Sequence, residues 1–326
     1  YASWQYPEYM GNVLAEKTDV IATGYAIYYD IATPEMAERL MENYPLVKYG
    51  ANTVYPQKRG KQFGAIYHNR GVWPGWEATL MEGAMKAGNH ELAGEIMKSI
   101  MSAAARNLSN EEVINYETGA GNNAYRQLWS VAGHMASFYR VLFGMTYELD
   151  GIHFAPYVPD WMVGPFELSN YTYRDANLTV TVSGQGDQVA SLKVNGEEMG
   201  ADYVLPADAS GNYTIEIEVV DSGDHDSVNL KPENLVICPE PPEMQLEDGV
   251  LTWTPDESYT YKLWTGTEYI DVTGKDSYEI PQDVYGSYSL VAVDEDGIAG
   301  ELSEPIIWNP EGTYLTFEAE DAAYND

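Results

Sequence analysis

The 326-residue chain holds a single cysteine, Cys238, so an intrachain disulfide framework and a cysteine-built zinc site are both excluded. Cys238 is read as a stray apolar residue in a linker. Positive charge is scarce as well: 17 Lys and Arg stand against 51 Asp and Glu, a formal charge of -34. Such a surface repels phosphate backbones and anionic lipid headgroups, which argues against nucleic acid and membrane surfaces as partners. No run of about 18 apolar residues occurs, so no membrane-spanning helix is predicted. No signal segment is read in the opening residues. The chain opens at Tyr1, without a methionine, in YASWQYPEYMGN, and is read as a fragment of a longer product.

The chain has material for a core, with 44 % hydrophobic and 13 % aromatic residues. Its length suits two or three domains of ~100 to 200 residues each. From Glu16 to Ile31 the apolar spacing predicts a packed helix with a close-contact glycine at Gly24. Thr33-Pro34-Glu35 starts another, with a capping hydroxyl and a proline where its missing N–H costs nothing; it should end before Pro45. Residues 46 to 71 read as a long loop. Helices are predicted over Val72 to Ala87 and Glu91 to Ala105, separated by Gly88-Asn89. After Asp150-Gly151 the period changes to alternating, β-branched runs such as ANLTVTVSG and YTIEIEVVD, expected of an antiparallel sandwich placed against the helices. A proline-rich stretch from Cys238 to Gln245 follows. Short strands at regular spacing then indicate a small immunoglobulin- or fibronectin-like module. Asp294-Glu295-Asp296-Gly297 is read as a hairpin turn, because a calcium loop needs a longer ligand series.

The chain is organised around Asn110 to Phe143. The first half is an acidic loop with Glu111, Glu112 and Glu117; the second half has apolar residues at helical spacing, from Tyr125 to Phe143, almost all round. Such a helix is expected to be buried. Its small and basic stripe, Arg126, Ser130, Gly133, Ser137, Arg140 and Gly144, is read as a close helix contact. The carboxylates ahead of it are either solvated loop charges or include one ionised group placed to activate a water.

Three further stretches carry a resemblance. YHNRGVWPGW, from Tyr67 to Trp76, is similar to the Tyr-His-Asn-Gly and Val-Trp-Pro signature of glycogen-debranching, amylo-1,6-glucosidase enzymes. RQLWSVAG, from Arg126 to Gly133, resembles the opening of their final toroid helix, and DGIHFAPYVP resembles the exit from toroid to sandwich. Glu112 lies seven residues before Gly119 of a Thr-Gly pair, and Trp129-Ser130 begins ten residues after that glycine, as in glycoside hydrolase family 63. The chain thus resembles the C-terminal part of a six-hairpin (α/α)6 glycoside hydrolase over residues 16 to 182. Arg70 departs from the debranching pattern and VINYE from the family 63 pattern.

The resemblance implies an α+β multidomain chain: the last five helices of a toroid over 1–149, a β-sandwich over 150–236, a fibronectin-type III-like module over 237–308, and a linker to an absent module over 309–326. It implies an inverting hydrolase acting on an oligo- or polysaccharide, secreted or on the cell surface, and bacterial. Glu112 is then the general base, with Glu117 as the alternative and Glu111 solvated. Tyr67, His68, Asn69, Arg70, Trp73, Trp76, Arg126 and Trp129 would face substrate; between the two indoles, Trp73 is favoured for sugar stacking and Trp76 for packing. The general acid would come from the missing N-terminal half. No metal or cofactor is expected. A non-catalytic carbohydrate-binding or scaffold fragment is the rival, and a glycoside phosphorylase is the third possibility.

Overall fold

The computed structural model describes residues 13–57, 67–233 and 235–310. Contacts divide the chain into two units, one formed by residues 18–55 and 60–236, the other by 2–17, 56–59 and 237–326. In the first, helix α1 (Val20–Tyr28) starts where the Asp19 carboxylate accepts a hydrogen bond from the amide of Ala22 at 2.8 Å. Helix α2 (Pro34–Asn43) begins as its sequence predicts, with Thr33 Oγ1 accepting from the amide of Met36 and Pro34 in the first turn. Helix α3 (Pro74–Ala87) ends on Gly88, which takes a left-handed conformation at φ 85°. Asn89 then caps helix α4 (His90–Asn107) through the amide of Leu92. The last, α5 (Leu128–Ala136), runs into a π-helical stretch, Ser137–Leu142.

Helix α3 is the hub, touching α1, α2, α4 and α5. Two of these contacts depend on missing side chains. A Cβ at Gly24 would lie 2.6 Å from the carbonyl group of Thr79, so α1 meets α3 backbone to side-chain-free backbone. On the other side Gly133 faces the carbonyl of Pro74 and the Cα of Gly75, with Ser130 and Ser137 fully buried alongside. The small stripe of α5 is therefore the close contact expected of it.

The opposite flank of α5 corrects the expectation of a helix buried all round. Leu128 is 80 % exposed, Trp129 44 % and Met135 42 %, and Tyr125, in the turn before the helix, 78 %. Its helix neighbours, α3 and to a smaller extent α4, leave this flank uncovered. Tyr25, Tyr29 and Ile31, in or just after α1, are likewise exposed.

A five-stranded sheet follows, in the order Glu197–Met199, Gln188–Val194, Ser210–Val220, Asp175–Gly184, Phe166–Tyr173. Its central pair, Ser210–Val220 with Asp175–Gly184, is parallel, where the alternating runs predict an antiparallel arrangement throughout. A second sheet joins Val204–Pro206, Gly151–Phe154 and Met145–Tyr147. Alternation puts Ala176, Leu178, Val180 and Val182 on one buried face. That face, Ile152 and Phe154 share a single core with Leu80, Met81, Ile96 and Met97 of the helices.

In the second unit, sheets of three and four antiparallel strands between Met244 and Trp308 enclose Leu251, Trp253, Tyr261, Leu263, Tyr288 and Leu290. The turn at Asp294 is a hairpin, as read from the sequence: Asp294 Oδ1 accepts from the amides of Asp296 and Ile298, and Gly297 takes φ 79°. Cys238 is a free, buried thiol whose amide bonds to the carbonyl of Gln57. From residue 311 the stretch assigned as a terminal linker lies outside the described residues.

Candidate functional site

The segment Tyr67–Trp73 is stitched to the acidic loop by backbone pairing. Val72 exchanges both hydrogen bonds with Ile114, at 3.0 and 2.7 Å, and Thr53 Oγ1 donates to the carbonyl of Gly71 at 2.8 Å. Residues 113–114 in turn pair with 121–122, so the acidic loop is a short hairpin. Glu112 lies at its open end, where its amide bonds to the carbonyl of Ala124. Glu117 lies at its tip, where Asn115 Oδ1 accepts its amide.

This stitching brings the Tyr67 hydroxyl 2.8 Å from Glu112 Oε1. The hydrogen bond to Glu112 raises the Tyr67 pKa, with Asn123 partly offsetting it, so the phenol keeps its proton and donates it to the carboxylate. Glu112 is half-buried, whereas Glu117 is exposed in the turn five residues further on. Glu111 is a correction: expected in solvent, it is 3 % exposed, with Gly121 packed against its side chain. Neighbours on an extended segment point to opposite sides, so Glu111 turns inward as Glu112 turns toward Tyr67.

Around this pair lies a cluster of rings. Trp73 and Trp76 stack at 4.1 Å with an interplanar angle of 7°, His68 stacks on both, and Trp129 meets both edge-on. The Trp73 indole N–H donates to the carbonyl of Tyr67 at 3.1 Å. Trp73, favoured for sugar stacking, is the ring that is covered. Trp73 is 2 % exposed and is the packed member, while Trp76 and Trp129 keep exposed surface. The cause is the helix start: Trp73 immediately precedes Pro74, and its ring lies under the Tyr67 loop.

Of the remaining predicted site residues, His68 is exposed beside these rings. Asn69 is buried, and the carbonyl of Arg70 accepts from Asn52 Nδ2. Arg126 is exposed in a left-handed conformation at φ 57°, its amide on Ser109 Oγ. The structure thus gathers Tyr67, His68, Trp73, Trp76, Trp129 and Glu112, and sets Glu117 apart from Tyr67.

Two residues that pattern reading passed over also shape the region. Asn110 Oδ1 lies 2.9 Å from His134 Nδ1, and burial lowers the His134 pKa, so a neutral imidazole ties the hairpin base to α5. Glu77, on α3, is fully buried. Its spacing from Trp73 and Met81, four residues each way, was the available signal. Among the described residues no group of acidic, His or Cys side chains could hold a metal ion, and no helix is long and apolar enough to cross a membrane. No protein-family model and no curated protein matches the chain significantly.

Proposed function

We propose that this chain carries the water-activating side of an inverting glycoside hydrolase site, with Glu112 as the general base. The observation that carries the proposal is the 2.8 Å Tyr67–Glu112 hydrogen bond at the edge of an indole cluster. The Tyr67 proton holds the carboxylate in one orientation and leaves its second oxygen for a water. Trp76 and Trp129, which keep accessible faces, offer the apolar surface that suits the C–H face of a pyranose. This support comes on top of the motif resemblance to a partial (α/α)6 toroid, while the second unit has the strand rhythm of a fibronectin-like module.

In this proposal the exposed flanks of α1 and α5 are covered by further helices of the same polypeptide, which also bring the general acid. The setting is extracellular, on a bacterial protein. The rival carbohydrate-binding function is favoured by the exposure of Tyr125, Leu128 and Trp129, which could contact a glycan with no catalysis at all.

The test uses the full-length polypeptide and a panel of α- and β-linked gluco-oligosaccharides. Glu112→Gln keeps size and hydrogen bonding but removes the proton acceptor, so turnover falls ~10² to 10⁴-fold with binding little changed. Glu117→Gln costs far less. Proton NMR of the first product shows an inverted anomer, since water attacks directly with no glycosyl-enzyme bond. Full activity in Glu112→Gln would end the proposal; glycan binding without turnover in the wild type would favour the rival.

A further inference from the structure

In a chain with three carboxylates for every cation, four of the 17 basic side chains converge on one cleft. The cleft has a volume of about 320 Å³ and is lined by Lys48, Tyr49, Lys98, Ser99, Arg106 and Lys231, with Glu95 at its side. That volume lies at the small end of the range for ligand sites, ~300 to 1,000 Å³. Lys98 is paired with Glu95 at 3.1 Å, which neutralises one charge. Arg106 and Lys231 have no carboxylate partner among the described residues, although carboxylates are in large excess.

Aromatic rings hold the cations in place. The Arg106 guanidinium lies 5.0 Å and Lys48 Nζ 5.1 Å from the Tyr49 ring centroid, so the two charges are within about 10 Å of each other. Lys231 lies 5.9 Å from the Tyr55 ring centroid. Gathering the Arg106 and Lys231 charges at one cleft is unfavourable unless an anion joins them. The floor adds no opposing charge near neutrality. Behind Ser99 and Gly50 lies the Glu77 carboxyl, whose pKa burial pushes up to about 8.

We propose that this cleft binds an oxyanion, a phosphate or sulfate group free or esterified to a small sugar, through the Arg106 guanidinium and the Lys231 ammonium group, with Lys98 beside them held by Glu95. Arg106 supplies the planar fork that takes two oxygens of such a group; the lysines supply point charges. Tyr49 is a positioning residue that holds Arg106 and Lys48. The site also abuts the tip of the acidic hairpin, since Gly119 packs on Tyr49 and Arg106, and Asn107 Nδ2 donates to its carbonyl. The proposal does not depend on the glycosidase function.

The test is an amide-resolved NMR titration at low ionic strength with inorganic phosphate, sulfate, glucose 6-phosphate and, as a neutral control, glucose. We expect saturable shifts at the amides of Tyr49, Ser99 and Lys231 with the anions and none with glucose. In the double variant Arg106→Gln, Lys231→Gln, Kd rises by ~10-fold or more, because two charge-assisted contacts are lost. Lys193→Gln, which removes one surface charge elsewhere, leaves Kd within about 2-fold. Tighter binding of glucose 6-phosphate than of phosphate identifies a sugar ester as the ligand, and equal binding identifies the free ion. No saturable shift with any anion, or equal affinity in the double variant, overturns the proposal.

Discussion

Glu77 provides the sharpest test of the structure, because a carboxyl with no water around it must leave a mark on the pH dependence of stability. It is 0 % exposed; Oε1 accepts from the amide of Ala51 at 2.8 Å, and Oε2 lies 3.2 Å from Ser99 Oγ. Ser99 Oγ is also 2.7 Å from the carbonyl of Tyr49. A hydroxyl has one proton and a carbonyl can only accept, so Ser99 gives its proton to Tyr49. Its contact with Glu77 is then a hydrogen bond only if the carboxyl carries the proton. Burial, the largest cause, points the same way and raises the pKa from 4.5 to about 8.

The folded state therefore keeps a proton that the unfolded chain releases. Stability from this group is fully present below pH 4.5 and is lost as pH rises toward 8. At ~1.4 kcal/mol per pH unit the loss is about 3 kcal/mol at pH 7 and nearly 5 above pH 9. Glu77→Gln cannot ionise. It still accepts from Ala51 and can donate to Ser99 Oγ, leaving one amide hydrogen over at a cost of about 1 kcal/mol. The measurement is urea unfolding at pH 5, 6, 7 and 8, read by circular dichroism at 222 nm, since the five α-helices among the described residues lie in the unit that holds Glu77. Wild type should lose about 3 kcal/mol relative to the variant across that range, a relative midpoint shift of 1 to 2 M at a slope of ~2 kcal/mol/M. Parallel pH profiles would refute the argument.

Gly24→Ala should lower the thermal midpoint of the helical signal, because its Cβ would press on the backbone of Thr79 and force α1 off α3, at about 2 kcal/mol or more. An unchanged midpoint would mean that the α1–α3 contact is looser than described. Leu263→Ala should destabilise the second unit by ~2 to 5 kcal/mol, since Leu263 is fully buried between its two sheets. A lower urea midpoint of the near-ultraviolet signal checks it.

Elements whose signals are local were legible in the sequence. Thr33-Pro34 and Gly88-Asn89 place helix ends through caps that need only a few residues. Gly24 and the Ser130–Gly133 stripe were legible as close contacts because small residues at helical spacing have few other uses. What failed was sidedness. Apolar residues all round α5 say that the helix prefers cover, not that a neighbour exists on each side. Glu111 and Glu112 differ by one position on an extended segment, and composition cannot say which of the two points inward. Trp73 and Trp76 are both large and apolar; only the path of the Tyr67 loop determines which ring is covered. Glu77 carries no local mark, because a glutamate in a helix is ordinary until its neighbours exclude water. The cationic cleft draws on residues 48, 98, 106 and 231, a grouping that no window along the chain contains.

The shared core of the helices and the first pair of sheets has a consequence for how this chain can be divided. Residue 150, where helical periodicity gives way to alternation, looks like a place to cut. Yet Ile152, Phe154, Leu178 and Val180 are packed in one cluster with Leu80, Met81 and Ile96. Either piece alone would expose its half of that cluster and gain nothing in return. The two segments are thus one cooperative block that unfolds together, whereas the seven strands between Met244 and Trp308 close a core of their own.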